Sequence, residues 1–139
     1  MTSYLLDTDT FSLYLQRDAN VSRAVFRHIA DPMAVSIITV REVWDGWAAA
    51  IARAKNHNVL AATYTRLTET VNALSAWTVV SFSVAAIARY EHLKQQKLNV
   101  GGNDLRIAAI ALELGATIVT RNRRDFARIP GVIIEDWSV

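Results

Sequence analysis

Cysteine is absent from this 139-residue chain, which excludes disulfide staples, thiolate zinc sites and thiol nucleophiles together. Proline is scarce, at two residues, and the composition is 52% hydrophobic and 20% charged with no low-complexity tract. A disordered or fibrous chain is therefore excluded and a packed core is expected. No charge-free apolar run reaches the roughly 18 residues needed to cross a bilayer. The opening MTSYLLDTDTF also lacks the basic-then-apolar pattern of an export signal. The expectation is a soluble, cytoplasmic protein with no membrane partner. A net charge of +2 is too small to imply nucleic-acid binding by itself, yet Arg121, Arg123, Arg124 and Arg128 crowd into one stretch. The length suits one domain over residues 1–139.

What is present is a series of short apolar runs separated by helical patterns. Tyr4 to Leu6 reads as a strand ending at Asp7, followed by a helix carrying Phe11, Leu13, Tyr14 and Leu15. Ala34 to Ile38 reads as a second strand. Thr39 and Glu42 then fall at capping-box spacing before a helix with Val43, Trp44, Trp47, Ala48 and Ile51 on one face. A polar break at Lys55 to Asn58 leads to a helix marked by Leu60, Tyr64, Leu67, Val71 and Leu74, paired with the preceding one as an antiparallel hairpin. Thr78 to Val80 is a short strand, and Ser83 caps a helix carrying Val84, Ile87, Ala88 and Leu93. After the loop Asn99 to Asn103, Asp104 to Leu114 forms a largely buried helix closed by Gly115. Ala116 to Thr120 and Val132 to Ile134 are the last strands. Continuous apolar strands alternating with helices predict an α/β fold with a central, mainly parallel sheet covered on both faces.

In open sheets of this kind ligands bind beyond the carboxyl ends of the strands. Asp7 follows the first strand, Glu42 lies just after the second, Asp104 opens a helix, and Asn122 and Asp125 follow the strand ending at Thr120. Carboxylates converging without counter-charge would bind protons, so the cluster makes sense around a cation. Oxygen donors without cysteine or paired histidines favour Mg2+ or Mn2+ over zinc. Each residue also has a plain structural explanation. Asp7 caps a helix, Glu42 closes the box with Thr39, Asp104 complements a helix dipole, and Asp125 pairs with a neighbouring arginine. Their shared location, and no one of them alone, points to a site. The arginines either contact phosphate or are solvated. The tryptophans Trp44, Trp47, Trp77 and Trp137 are read as core or interface, and His28, His57 and His92 are isolated.

The segments YLLDTDTFSLYL (4–15), VSIITVREVWDGW (35–47), GGNDLRIAAIALELGATIVTRNRRDF (101–126) and IPGVIIEDW (129–137), in this order, resemble the PIN-domain ribonucleases and within them the VapC toxins of type II toxin-antitoxin systems. The resemblance implies a PIN-like three-layer α/β/α sandwich that cleaves RNA with Mg2+ or Mn2+. By position it implies Asp7, Glu42 and Asp104 as the first three acidic residues, with Asp7 and Asp104 as metal ligands. Many relatives are acidic where this chain has Asn122, so either Asn122 or Asp125 completes the site. Asp9 stands where asparagine is commoner, and either adds charge to the site or orients Asp7. Thr8 and Thr120 are placed to donate to a carboxylate or phosphate. The resemblance further implies a transfer, ribosomal or messenger RNA substrate, a homodimer and a VapB-type antitoxin, with the hairpin from Val43 to Leu74 as its seat.

Two other readings compete. A phosphatase of the haloacid-dehalogenase type is suggested by Asp7-Thr8-Asp9, but Phe11 and the missing companion motifs argue against it. A PIN-like module that grips RNA or protein without cutting would follow from loss of a fourth carboxylate, and would bind RNA with or without magnesium.

Overall fold

Three-residue strands persist here because each is hydrogen-bonded into a larger sheet, whose central strands are buried by side chains on both faces. The computed structural model describes residues 2–139. It contains β1 (Tyr4–Leu6), α1 (Thr8–Leu15), α2 (Ala19–Arg27), β2 (Met33–Ser36), α3 (Ile37–Arg53), α4 (His57–Leu74), β3 (Thr78–Val80), α5 (Val84–Gln95), α6 (Gly102–Leu114), β4 (Thr117–Val119), α7 (Arg123–Phe126) and β5 (Ile134–Glu135). The five strands are all parallel in the order β3-β2-β1-β4-β5, as continuous apolar strands predict.

Side-chain alternation divides the core into two layers. Leu5 and Ile118 point to one face and pack with Tyr90, Leu105, Ile107, Ile110 and Phe126 of α5, α6 and α7. Tyr4, Leu6 and Val119 point to the other and meet Phe11, Val21, Val25 and Trp137. The result is the expected α/β/α sandwich. Gly115 ends α6 at φ 67, the left-handed conformation that glycine enters without a Cβ penalty.

Several expectations are corrected. The second strand spans Met33–Ser36, and Ile37 and Ile38 already belong to α3. Its N-cap is Ser36, whose hydroxyl accepts from the Thr39 amide at 3.2 Å. The Thr39–Glu42 capping box therefore does not form, and Glu42 is released for other contacts. The break between α3 and α4 is confined to 54–56, with Asn56 capping α4. The last two strands begin later, at Thr117 and Ile134. Helix α2 was not anticipated. Asp18 caps it by accepting from Val21, and Val21, Ala24 and Val25 are its buried face.

Candidate metal centre

The strand order reverses between β1 and β4. β2 and β3 are added on one side of β1 and β5 on the far side of β4, so the crevice at their carboxyl ends is the topological switch point. Asp7 stands at that point, with its amide donating to the Val119 carbonyl at 3.0 Å. It is only 4% exposed. Its Oδ1 accepts from the Thr10 amide at 2.9 Å as the N-cap of α1, and its Oδ2 accepts from the Thr120 hydroxyl at 2.6 Å. The capping explanation and the site explanation are thus both true of the same residue. Burial pushes its carboxyl pKa up, against the lowering influence of these donors.

Glu42 reaches the same crevice from the second turn of α3. Its Oε1 accepts from the Thr8 hydroxyl at 2.6 Å, and Thr8 Oγ lies 3.0 Å from Thr39 Oγ. Thr39, expected as a cap, is instead a buried link between α1 and α3.

Asp104 sits in the first turn of α6. Burial, followed by the charges of Asp7, Glu42 and Asp125, pushes its pKa up from 3.8 to about 6, while the side chain of Asn122 favours the charged form. Asp7, Glu42 and Asp125 are therefore close enough to Asp104 to oppose its ionisation. Asn122 Nδ2 donates to Asp125 Oδ2 at 3.0 Å, and its backbone amide donates to Thr120 Oγ at 2.9 Å. Thr120 thereby ties the Asp7 side of the crevice to the loop bearing Asn122.

Other residues named from the sequence lie elsewhere. Asp9 is exposed and paired with Arg121. It is the smallest of the influences on Asp7 and does not orient it. Arg123 approaches Asp136 at 3.9 Å, Arg128 approaches Asp125 at 3.3 Å, and among the described residues Arg124 has no ion pair. Trp77 packs against Phe11 and Tyr14, Trp137 against Tyr4 and His28, and Trp44 is 55% exposed. None of the histidines joins the acidic cluster.

The donor set suits a hard cation. The acidic groups that face Asp104 offer oxygen ligands, and their charges add to the burial that raises its pKa. Among the described residues no three acidic or histidine side chains stand close enough to enclose an ion by themselves. An ion there would be held by one or two carboxylates and would keep several waters.

A groove of about 840 Å3 opens from this crevice. Thr8 and Glu42 stand at its edge, and Tyr14, Val25, Phe26, Val43 and Trp47 are among its walls. It is walled by α1 and α2 as well as by the α3–α4 hairpin. Trp47 is fixed there by donating to Thr70 at 3.1 Å, with Arg66 over its ring. Sequence reasoning missed the α2 wall, although Asp18 as a cap and the Val21, Ala24, Val25 spacing carried the signal.

Comparison with known proteins agrees with this fold. The PIN domain family matches residues 4–132. The tRNA(fMet)-specific endonuclease VapC of Salmonella typhimurium is 31% identical over 99% of this chain and 99% of its own length. Ribonuclease VapC2 of Rickettsia felis is 28% identical, covering 97% of this chain and 98% of its own. Among solved structures, VapBC2 from Rickettsia felis bound to a DNA fragment from their promoter superposes with a TM-score of 0.81 at 25% identity, covering 98% of this chain and 99% of that one.

Proposed function

The chain belongs to the PIN domain family, and from that premise we propose that it is a metal-dependent endoribonuclease, the toxin of a type II toxin-antitoxin pair. Relatives named as VapC ribonucleases support the nuclease, and a VapBC complex of the same fold supports the pairing. The observation that carries the chemistry is the meeting of Asp7, Glu42, Asp104 and Asp125 at the switch point, where Asp104 is pushed to about 6.

Asp7 and Asp104 are the residues that would hold Mg2+ or Mn2+. When bound, such an ion lowers the pKa of a water and polarises the scissile phosphate. Thr10 and Thr120 fix Asp7 in one orientation. Thr8 occupies one oxygen of Glu42, which leaves the other to take a proton from the attacking water as a general base. Attack at phosphorus breaks the bond to the 3′ oxygen, which takes up a proton, giving 5′-phosphate and 3′-hydroxyl ends. Asn122 and Asp125 complete the wall beside Asp104. Asp7 is buried with both oxygens engaged, which disfavours a phosphatase using it as a covalent nucleophile. RNA is the macromolecular substrate, with transfer RNA favoured by the relative that acts on tRNA(fMet).

The groove beside Glu42 is the seat we assign to the antitoxin. Phe26 and Ile29 of the α2 wall are 76% and 71% exposed, and such apolar anchors suit an amphipathic segment laid into a groove. A second copy of the chain is expected as a further partner. No helix among the described residues is long and apolar enough to cross a membrane.

The test is incubation of the purified chain, free of antitoxin, with total bacterial RNA in Mg2+, Mn2+ or EDTA, with new ends mapped. Discrete metal-dependent cuts are expected. Asp104→Asn should reduce them by about three orders of magnitude, the loss that several kcal/mol of charge stabilisation implies. Intact RNA under every metal, with RNA binding undisturbed by EDTA, would leave the non-cutting binding module as the better account.

A further inference from the structure

Asp125 and Asp104 sit in the same crevice and are held differently. Asp125 has both oxygens engaged by protein donors: Arg128 Nη1 donates to Oδ1 at 3.3 Å, and Asn122 Nδ2 donates to Oδ2 at 3.0 Å. Arg128 is its ion-pair partner. Asp104 has no ion pair among the described residues, and it faces Asp7, Glu42 and Asp125. The same Arg128 Nη1 donates to the Asn99 carbonyl at 2.9 Å. Asn99 has the left-handed φ of 59, which asparagine tolerates better than most side chains. It lies in the loop leading to Gly101 and so to the first turn of α6, where Asp104 sits. One guanidinium therefore fastens Asp125 to the entrance of the helix that carries Asp104.

We infer that Arg128 is a positioning residue that withdraws Asp125 from the ligand set, so that this centre takes one divalent cation, through Asp7 and Asp104, and not two. The inference rests on the metal-dependent reading above. A hard cation needs oxygen lone pairs and uncompensated negative charge. Asp125 is short of the second, because the Arg128 guanidinium balances its charge, whereas Asp7, whose oxygens are also hydrogen-bonded, accepts only from uncharged donors. A second ion, about 3.5–4 Å from the first in two-metal sites, would need carboxylate donors on this side of Asp104. The neighbour there is the neutral amide of Asn122, itself steered by Asp125. Asp125 thus acts on Asp104 through Asn122, as an outer partner orients an inner ligand.

The experiment is a Mn2+ titration of the full chain, without RNA, read by the electron paramagnetic resonance of free Mn2+, with thermal melts to verify folding. The wild type should bind one Mn2+ per chain, and Asp125→Asn should still bind one. Arg128→Gln removes the balancing charge and should admit a second, weaker Mn2+, while Arg128→Lys should return the count to one. Two equivalent ions in the wild type, loss of the ion in Asp125→Asn, or an unchanged count in Arg128→Gln would each overturn the inference. Should Arg128→Gln fail to fold, Arg128→Met, which keeps the aliphatic stem and removes the charge, takes its place with the same expected second ion. Absence of Mn2+ binding overturns the inference together with the metal-dependent reading. One-to-one binding without RNA cleavage supports the inference and overturns only the nuclease.

Discussion

Helix α6 and the α3–α4 hairpin read alike in sequence, both apolar and alanine-rich, yet the fold uses them in opposite ways. In α6, Leu105, Ile107, Ala108, Ala109, Ile110 and Ala111 are all buried. In the 17 residues of α3 only Thr39 is buried, and in the 18 of α4 only Thr70. The hairpin buries hydroxyls, which hold Glu42's neighbour Thr8 and Trp47 in place, and leaves aromatic and aliphatic side chains at its surface. An apolar stripe thus marks a surface that wants cover, and only topology decides whether the chain itself supplies it. Here α6 lies under the sheet and carries Asp104, the proposed metal ligand, while the hairpin borders a groove suited to a partner.

The sharpest way to break this contrast is truncation on each side. Ile107 is fully buried, so Ile107→Ala should lower unfolding free energy by about 2–5 kcal/mol, measured by urea denaturation of the free chain. A loss under 1 kcal/mol would mean that α6 is less packed than its burial indicates.

The next largest effect concerns charge behind α6. Folded Asp104 keeps its proton up to about pH 6, whereas the unfolded chain releases it near 3.8. Between these values the folded state binds more protons, so the contribution of Asp104 to stability falls as pH rises through that window. Asp7, raised in the same direction, adds to the trend. A cation must displace the proton, so Mg2+ should stabilise the chain weakly at pH 5 and fully above pH 7. At a hundredfold excess over its Kd the gain is about 2.7 kcal/mol. Melting temperatures with and without Mg2+ across pH 5 to 8 check this, and a gain independent of pH would remove Asp104 from the ligand set.

On the partner side, Phe26→Ala should leave stability within about 0.5 kcal/mol but weaken antitoxin binding by about 1–2 kcal/mol. Calorimetric titration with the cognate antitoxin reads both the affinity and its enthalpy. Loss of stability with affinity unchanged would assign Phe26 to the core and close the comparison in the other direction.

The strands, the parallel character of the sheet and the acidic residues were legible because each rests on local pattern: continuous apolar runs alternating with helices, Gly115 after α6, and carboxylates placed just past strands. Helix α2 was not, because its buried face of Val21, Ala24 and Val25 is short and sits among Arg23, Arg27 and exposed Phe26. The acidic cluster could be named but not arranged. That Thr120 would donate to Asp7, or that Asp9 would turn to Arg121, depends on contacts more than a hundred positions apart in sequence. Choosing between Asn122 and Asp125 had no local basis either, because the two are hydrogen-bonded to each other and stand together beside Asp104.

The start of α3 shows how a local rule misleads when two candidates compete. Of Ser36 and Thr39, only Thr39 has a glutamate three residues on, Glu42; Ser36 has Thr39 at that position. The capping-box pattern selects Thr39, but β2 ends at Ser36 and the chain turns at once into helix. Ser36 is fully buried, so its hydroxyl must find a partner, and the Thr39 amide supplies one. The helix then begins one turn earlier, which brings Glu42 into its second turn and within reach of Thr8. Ser36→Ala should therefore cost about 1 kcal/mol, the usual worth of a serine cap, measured by urea denaturation. Glu42→Ala should cost α3 no cap, and should act on RNA cleavage instead. Unchanged RNA cleavage in Glu42→Ala would remove Glu42 from the site.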